Sequence, residues 1–196
     1  MTRTMAQPPQ ALAAMHHDFL ALAEVTTDHR AFQPEIIWGE LQTADYIRAT
    51  YARLRRVMDV TGEDIDAAVI TRLARGRLLG QDNRAYHILL GEHAITTVVG
   101  GADVMRAQLR HLLDRLDTPG LRLGIIPFGA ELEATVPGGF AIYNRVRVGI
   151  DSLAGPQTVT EMPLVKRFTA VFDLLTQSAA YGPDARALIE AAHARL

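Results

Sequence analysis

The feature that most limits what this chain can fold into is a change of hydrophobic period partway along it. Up to Gly120 the apolar residues recur mostly every three or four positions, the spacing of a helix with one buried face. After it come three short apolar runs, LRLGIIPF (121–128), GGFAIYN (138–144) and VRVGIDSL (146–153), separated by Gly, Pro and Asn. Those read as strands, with Asn144-Arg145 as the tight turn joining the last two. Leu164, Val165, Phe168, Val171, Phe172 and Leu175 then restore a helical stripe, and Pro183 opens a last helix ending at Leu196. Helices, then strands, then helices give an α+β fold, mostly helical, with a small, mainly antiparallel sheet packed against helices.

The earlier segments fill in this outline. Leu12, Met15, Phe19, Leu22 and Ala23 mark a helix from Gln10 to about Thr27. Pro34 disfavours helix at Gln33, so Ile36-Ile37-Trp38 reads as a short extended segment before a turn at Gly39. Thr43 is the N-cap of the next helix, whose face carries Tyr46, Ile47, Thr50, Tyr51 and Leu54. In TGEDIDAAVITRLARGRLLGQ, acids crowd the start and arginines the end, as the helix dipole favours. YHILLGE reads as a buried strand, with a short helix from about Glu92. Beyond Gly100-Gly101, Val104, Met105, Leu109, Leu112, Leu113 and Leu116 make one more stripe, closed by Pro119-Gly120. Leu109, Leu112, Leu113, Phe168, Val171 and Phe172 are the expected central core. Residues 1–9 read as a flexible tail and 10–196 as one domain, with no repeat or linker.

Composition excludes several classes of function. Cysteine is absent, which removes disulfides, thiolate nucleophiles and cysteine-ligated metals. A net charge of −2 gives no basic excess of the kind nucleic-acid binding uses. The N-terminus lacks the apolar core of a secretory signal, and no apolar run nears a membrane span, so the expectation is a cytoplasmic protein without a membrane partner. His16-His17-Asp18 offers metal-ligand types, but adjacent helical residues point about 100° apart and no His or Glu follows at the fourth position, so no metal is expected. His87 reads as an ordinary strand histidine, and no cofactor motif is present: Gly138-Gly139 lacks the helix and Lys-Ser/Thr of a phosphate loop.

Three stretches carry a family resemblance. WGELQTADYIRA is similar to a Pro-Gly-Leu-Leu-Gln-Thr-acidic-Tyr-Ala-Arg motif, HILLGEHAITTVVGGADVMRAQLRHLL to a strand, Glu, Val-Gly-Gly, Met-Arg-x-Gln-Leu run, and LGIIPFGAELEATVPGGFAIYN to a Val-Leu-Pro-Phe, Gly-x-Phe run. In that order, over about residues 20–192, they resemble the C-terminal domain of unknown function that follows a helix-turn-helix in actinobacterial, Xre-type, antitoxin-like transcription regulators. The resemblance implies a sensing or partner-binding role. Only about 20 residues precede the matching region, too few for a helix-turn-helix, so direct DNA binding is not expected. Trp38 and Glu40 stand where the motif has Pro and Leu, and Arg75-Gly76 where relatives have Arg-Gln.

That altered turn is the leading candidate site. Trp38, the one tryptophan, offers an aromatic wall, and Glu40 an oriented charge or a proton. The alternatives are a packing tryptophan and a solvated glutamate. Tyr143 and Arg145 are the expected further ligand-binding residues. Glu131 and Glu133, two apart in a Gly-flanked loop, could join Glu40 as acid–base groups if the protein is an enzyme, or be plain solvated acids. Arg145 and Arg147, two apart on a strand, could clamp an anion or face solvent. Two functions follow: a protein that binds a small molecule or a partner, derived from a regulator's sensing domain, or a cofactor-independent enzyme of specialised metabolism such as a cyclase, isomerase or hydrolase. The expected partners are a small-molecule ligand or substrate, with a protein partner or a second copy of the chain as further candidates.

Overall fold

A computed structural model describes residues 12–55, 60–81, 83–150, 152 and 156–196, with residues 12–17 described by their backbone alone. The tail over 1–9 and the side chains of Met15, His16 and His17 lie outside the described residues. In chain order the elements are α1 (Leu12–Val25), β1 (Asp28–Gln33), a 3-10 turn (Gly39–Leu41), α2 (Ala44–Leu54), α3 (Gly62–Gly76), β2 (Ala85–Gly91), α4 (Glu92–Thr96) and α5 (Ala102–Arg115). They continue with β3 (Leu121–Ile126), β4 (Phe140–Tyr143), β5 (Arg147–Ile150), β6 (Gln157–Val159), α6 (Met162–Leu175), β7 (Ala180–Tyr181) and α7 (Gly182–Ala194).

The described strands form one sheet in the order β6-β5-β4-β1-β2-β3-β7. This corrects the expected small, mainly antiparallel sheet. It has seven strands and is mixed: β1/β2 and β2/β3 are parallel, and each of these ladders pairs six residues. The β1/β4, β4/β5, β5/β6 and β3/β7 ladders are antiparallel. The overall class remains α+β. The error came from the first central strand. Its sequence, DHRAFQ, opens with three charged or titratable residues, and its pattern gives no strand between the first helix and Pro34. In the fold, Arg30 pairs with Asp28 and Asp173 on one face while His29 is buried among aromatic rings on the other. The residues read as extended, 36–38, join no ladder.

Local signals hold elsewhere. Thr43 caps α2 by accepting from the Tyr46 amide, and Thr61 and Asp64 form a reciprocal capping box at α3. Asn144 and Arg145 both have positive φ, 50° and 57°, and form the tight turn between β4 and β5, where the Val146 amide donates to the Tyr143 carbonyl.

Alternation along the strands divides the interior in two. His29, Ala31, Tyr86, Ile88, Leu90, Ala141 and Tyr143 face one side, Phe32, Leu89, Phe140 and Ile142 the other. Met105, Leu109 and Leu112 of α5 and Ile189 of α7 pack on the first face; Val165, Phe172 and Leu175 of α6 pack on the second. The six residues expected to share a central core therefore belong to two cores, with the sheet between them. Leu109, Leu112 and Phe172 are fully buried, Leu113, Phe168 and Val171 partly so, and Leu164 is largely exposed. Helices α5 and α7 cover the parallel half of the first face. Its antiparallel half faces α1, the 3-10 turn, α2 and α3, and there a cavity remains.

Candidate functional site

The cavity has a volume of about 260 Å³. One wall is the sheet, with Ala141 and Tyr143 of β4, Arg147 and Gly149 of β5 and Thr158 of β6. The opposite wall comes from Phe19 of α1, from Trp38, Gly39 and Glu40, from Tyr51 of α2, and from Arg72 and Arg75 of α3. Most of the lining is apolar, with a few polar groups on several elements, the usual make-up of a small-molecule site.

Glu40 is 4% exposed, which excludes the solvated-glutamate reading. Its Oε1 lies 3.4 Å from Nε of Arg75, itself buried, so each charge finds its counter-charge away from water. Two glycines permit this approach. A Cβ on Gly39 would sit 2.9 Å from Arg75 Nη2, and one on Gly76 would sit 2.8 Å from the Glu40 carbonyl oxygen. Gly39 serves by having no side chain at a close approach; it is not among the residues of positive φ. Buried side-chain hydrogen bonds hold the turn. Gln108 of α5, fully buried, donates to the Leu41 carbonyl at 2.7 Å and accepts from the Thr43 amide at 2.6 Å. Gln42 donates to the Ile37 carbonyl at 2.6 Å and accepts from Arg72. Arg72 also lies over the Tyr51 ring, and Arg75 over Phe19.

Beneath Trp38 lies His29, 1% exposed, with its ring centroid 5.3 Å from Trp38, 5.2 Å from Tyr86 and 4.7 Å from Tyr143. Burial pushes its pKa down to about 4, against the smaller opposing influence of Glu40, so the imidazole is neutral at pH 7. Burial, helped by the charge of Glu40, pushes the Tyr86 phenol up to about 12. Among the described residues, neither ring nitrogen of His29, nor Trp38 Nε1, nor Glu40 Oε2 has a hydrogen-bond partner.

Of the residues expected from sequence, the structure brings Trp38, Glu40 and Tyr143 around this one cavity. Arg145 lies elsewhere: at the exposed hairpin tip its Nε is 2.7 Å from Asp28 Oδ2. Burial raises the Asp28 pKa, but the hydrogen bond from Arg145 and the charges of Arg30 and Arg145 outweigh it and hold the carboxyl below its ordinary value. The cavity takes Arg147 instead, which sits opposite Tyr143 in the β4/β5 ladder and donates to Thr158 Oγ1 at 3.1 Å. Glu131 and Glu133 are exposed and outside the lining, so Glu40 is the one carboxylate among the described lining residues. His87 accepts from or donates to the Tyr181 hydroxyl at 2.8 Å on the opposite face of the sheet. Arg72, Arg75 and His29 were not foreseen. Arg72 and Arg75, three apart on α3, share a helical face, but that spacing equally fits arginines serving the helix dipole. Among the described residues no group of three or more His, Asp or Glu could hold a metal, and no helix is long and apolar enough to cross a membrane.

The candidate site is thus a partly apolar cavity beside the antiparallel half of a mixed sheet. A family model described as "Domain of unknown function (DUF5753)" matches residues 17–191, and the chain belongs to that family. No curated protein matches the chain.

Proposed function

We propose that the protein binds a small molecule in the cavity bordered by Trp38, Glu40 and Tyr143, acting as the sensing part of an actinobacterial regulator-type system. The observation that carries this reading is the cavity itself. Aromatic rings and a few fixed polar groups, from several different elements, surround about 260 Å³ at the small end of ligand sites. The regulator context is supported by the motif resemblance around the same turn. A second reading, a cofactor-independent enzyme using Glu40 as acid or base, is favoured by the buried carboxylate on the cavity wall. It has one lining carboxylate to work with, since Glu131 and Glu133 stand apart.

Trp38 is the only tryptophan, so intrinsic fluorescence reports on the cavity. A small-molecule library titrated against the protein is expected to give ligands that change this emission and whose affinity falls about five- to tenfold in Tyr143→Ala and Arg147→Met, the loss of one or two contacts. Ligands indifferent to both substitutions would place binding elsewhere. Conversion of such a ligand to product, abolished in Glu40→Gln with affinity retained, would move the conclusion to the enzyme.

A further inference from the structure

Resting on the cavity as the binding site, we propose that its ligand is a small carboxylate, one negative charge seated against Arg147 and Thr158 on the sheet wall and carried by a ring-sized apolar body. The chain as a whole has a net charge of −2, yet the described cavity lining holds three arginines, Arg72, Arg75 and Arg147, and one carboxylate, Glu40. The positive excess is therefore local to the cavity and runs against the composition. Glu40 and Arg75 neutralise each other as a buried pair. Arg72 adds its charge from the same helix as Arg75, donating to the Gln42 side chain and lying over the Tyr51 ring.

Arg147 locates the head. Side chains alternate along β5, so Val148 enters the core under α6 while Arg147 and Gly149 face the cavity. Arg147 stands opposite Tyr143, and Thr158 opposite Gly149, so guanidinium and hydroxyl meet on that face, where Arg147 Nη2 donates to Thr158 Oγ1 at 3.1 Å. Arg147 is half-buried, and no described carboxylate lies within ion-pair distance of it. A guanidinium has several N–H groups to give, and the hydroxyl that accepts one of them keeps its own O–H to donate. An incoming carboxylate matches the charge and accepts from both groups, in the planar two-oxygen geometry a guanidinium fits best. A cationic head would add to the excess, and a neutral one leaves the half-buried charge unmatched. Phe19, Leu22, Tyr51, Leu54 and Ile150 offer apolar contact to the body, and a cavity of about 260 Å³ keeps that body small.

Four probes sharing one ring separate these cases: benzoate, benzamide, benzylammonium and toluene. Each is titrated at pH 7 against the full-length protein, with Trp38 emission and saturation transfer to the probe's ring protons as readouts. Benzoate is expected to bind about tenfold more tightly than benzamide or toluene, the value of one charge-assisted hydrogen bond, and benzylammonium most weakly. Arg147→Met should weaken benzoate about tenfold and change benzamide and toluene by less than about threefold, which erases the preference. Thr158→Val, which keeps the shape and removes the hydroxyl, should weaken benzoate about three- to fivefold and reads the same seat if Arg147→Met fails to fold. Arg145→Met, at the hairpin tip outside the cavity, should leave all four affinities unchanged. Binding of benzamide, benzylammonium or toluene as tight as that of benzoate overturns the anionic head while leaving the cavity as a binding site. A preference for benzoate that survives intact in Arg147→Met, or an equal loss of all four probes there, overturns Arg147 as its seat. If none of the four moves either readout up to its solubility limit, the cavity reading itself falls, and this inference with it.

Discussion

Removal of Glu40 alone should destabilise the protein far more than removal of Glu40 and Arg75 together. The two side chains are 2% and 9% exposed, with Oε1 and Nε 3.4 Å apart. At an effective dielectric constant of about 20, charges at that distance attract by roughly 5 kcal/mol, and desolvation of both ions opposes most of it. The pair as a whole therefore adds little net stability, but either member left alone is an uncompensated buried charge. Glu40→Leu strands the guanidinium beside Gly39, where the lack of a Cβ lets it sit but offers no new acceptor. The expected loss is about 3–5 kcal/mol, and Arg75→Met should cost about as much. Glu40→Leu/Arg75→Met should stay within about 2 kcal/mol of wild type, giving a coupling energy of several kcal/mol in a double-mutant cycle. Urea unfolding, followed by Trp38 emission and by far-UV circular dichroism, measures all four proteins. At roughly 2–4 °C per kcal/mol for a chain of this size, thermal melts should separate the single variants clearly from the double. Additive single losses, or a Glu40→Leu loss below about 1 kcal/mol, would mean that Arg75 reaches water, and the account of the turn would be wrong.

Burial lowers the His29 pKa from 6.5 to about 4, so between those values the unfolded chain binds a proton that the folded chain does not. Its contribution is complete above about pH 6.5 and is lost as pH falls toward 4, roughly 3 kcal/mol in all. His87 shifts the same way, so the measurement is the difference in stability–pH slope between wild type and His29→Phe, which should be shallower. Gly76→Ala should lower the melting temperature despite the better helix propensity of Ala, because its Cβ meets the Glu40 carbonyl; Gly62→Ala, with nothing within 4 Å, should be neutral or stabilising. Leu112→Ala and Phe172→Ala should each cost about 2–5 kcal/mol by urea unfolding, and their effects should add, because they lie in cores on opposite faces of the sheet.

The sequence was legible wherever local chemistry decides the outcome. The cap at Thr43, the acidic start of α3, the Asn144-Arg145 hairpin and the stripe of α5 all follow from residues within a few positions of one another. What failed depends on distant partners. Strand β1 lies between β4 and β2, yet Asp28-His29-Arg30 read as polar, because Arg30 finds Asp173 and His29 finds Tyr86 and Tyr143 only in the assembled sheet. Strands β6 and β7, three and two residues long, carry too little pattern to be read. Spacing alone favours Arg145 as a ligand-binding residue and offers Arg147 only beside it, in an anion clamp. The two positive-φ residues of the hairpin leave Arg145 at the tip beside Asp28, and only Arg147, paired across the ladder with Tyr143, reaches the cavity.

The turn at Gly39 is more costly than a merely structural turn has to be. A leucine at position 40, in a site 4% exposed, would pack without a charge to neutralise. Glu40 instead requires Arg75, whose Nη2 lies 2.9 Å from where a Cβ on Gly39 would stand, and the approach of α3 to the turn requires that Gly76 have no Cβ. Four residues thus interlock to hold one carboxylate at the cavity wall, next to a tryptophan whose N–H is left unpaired within the described protein. Proteins accept such local cost where a site needs a particular group, and stability then trades against function. Glu40→Leu/Arg75→Met is the substitution that separates the two. It should fold about as well as wild type, or better, and should bind the cavity's ligands more weakly, as titration of the Trp38 emission would read. If it folds less well and binds those ligands unchanged, the carboxylate belongs to the architecture and not to the site.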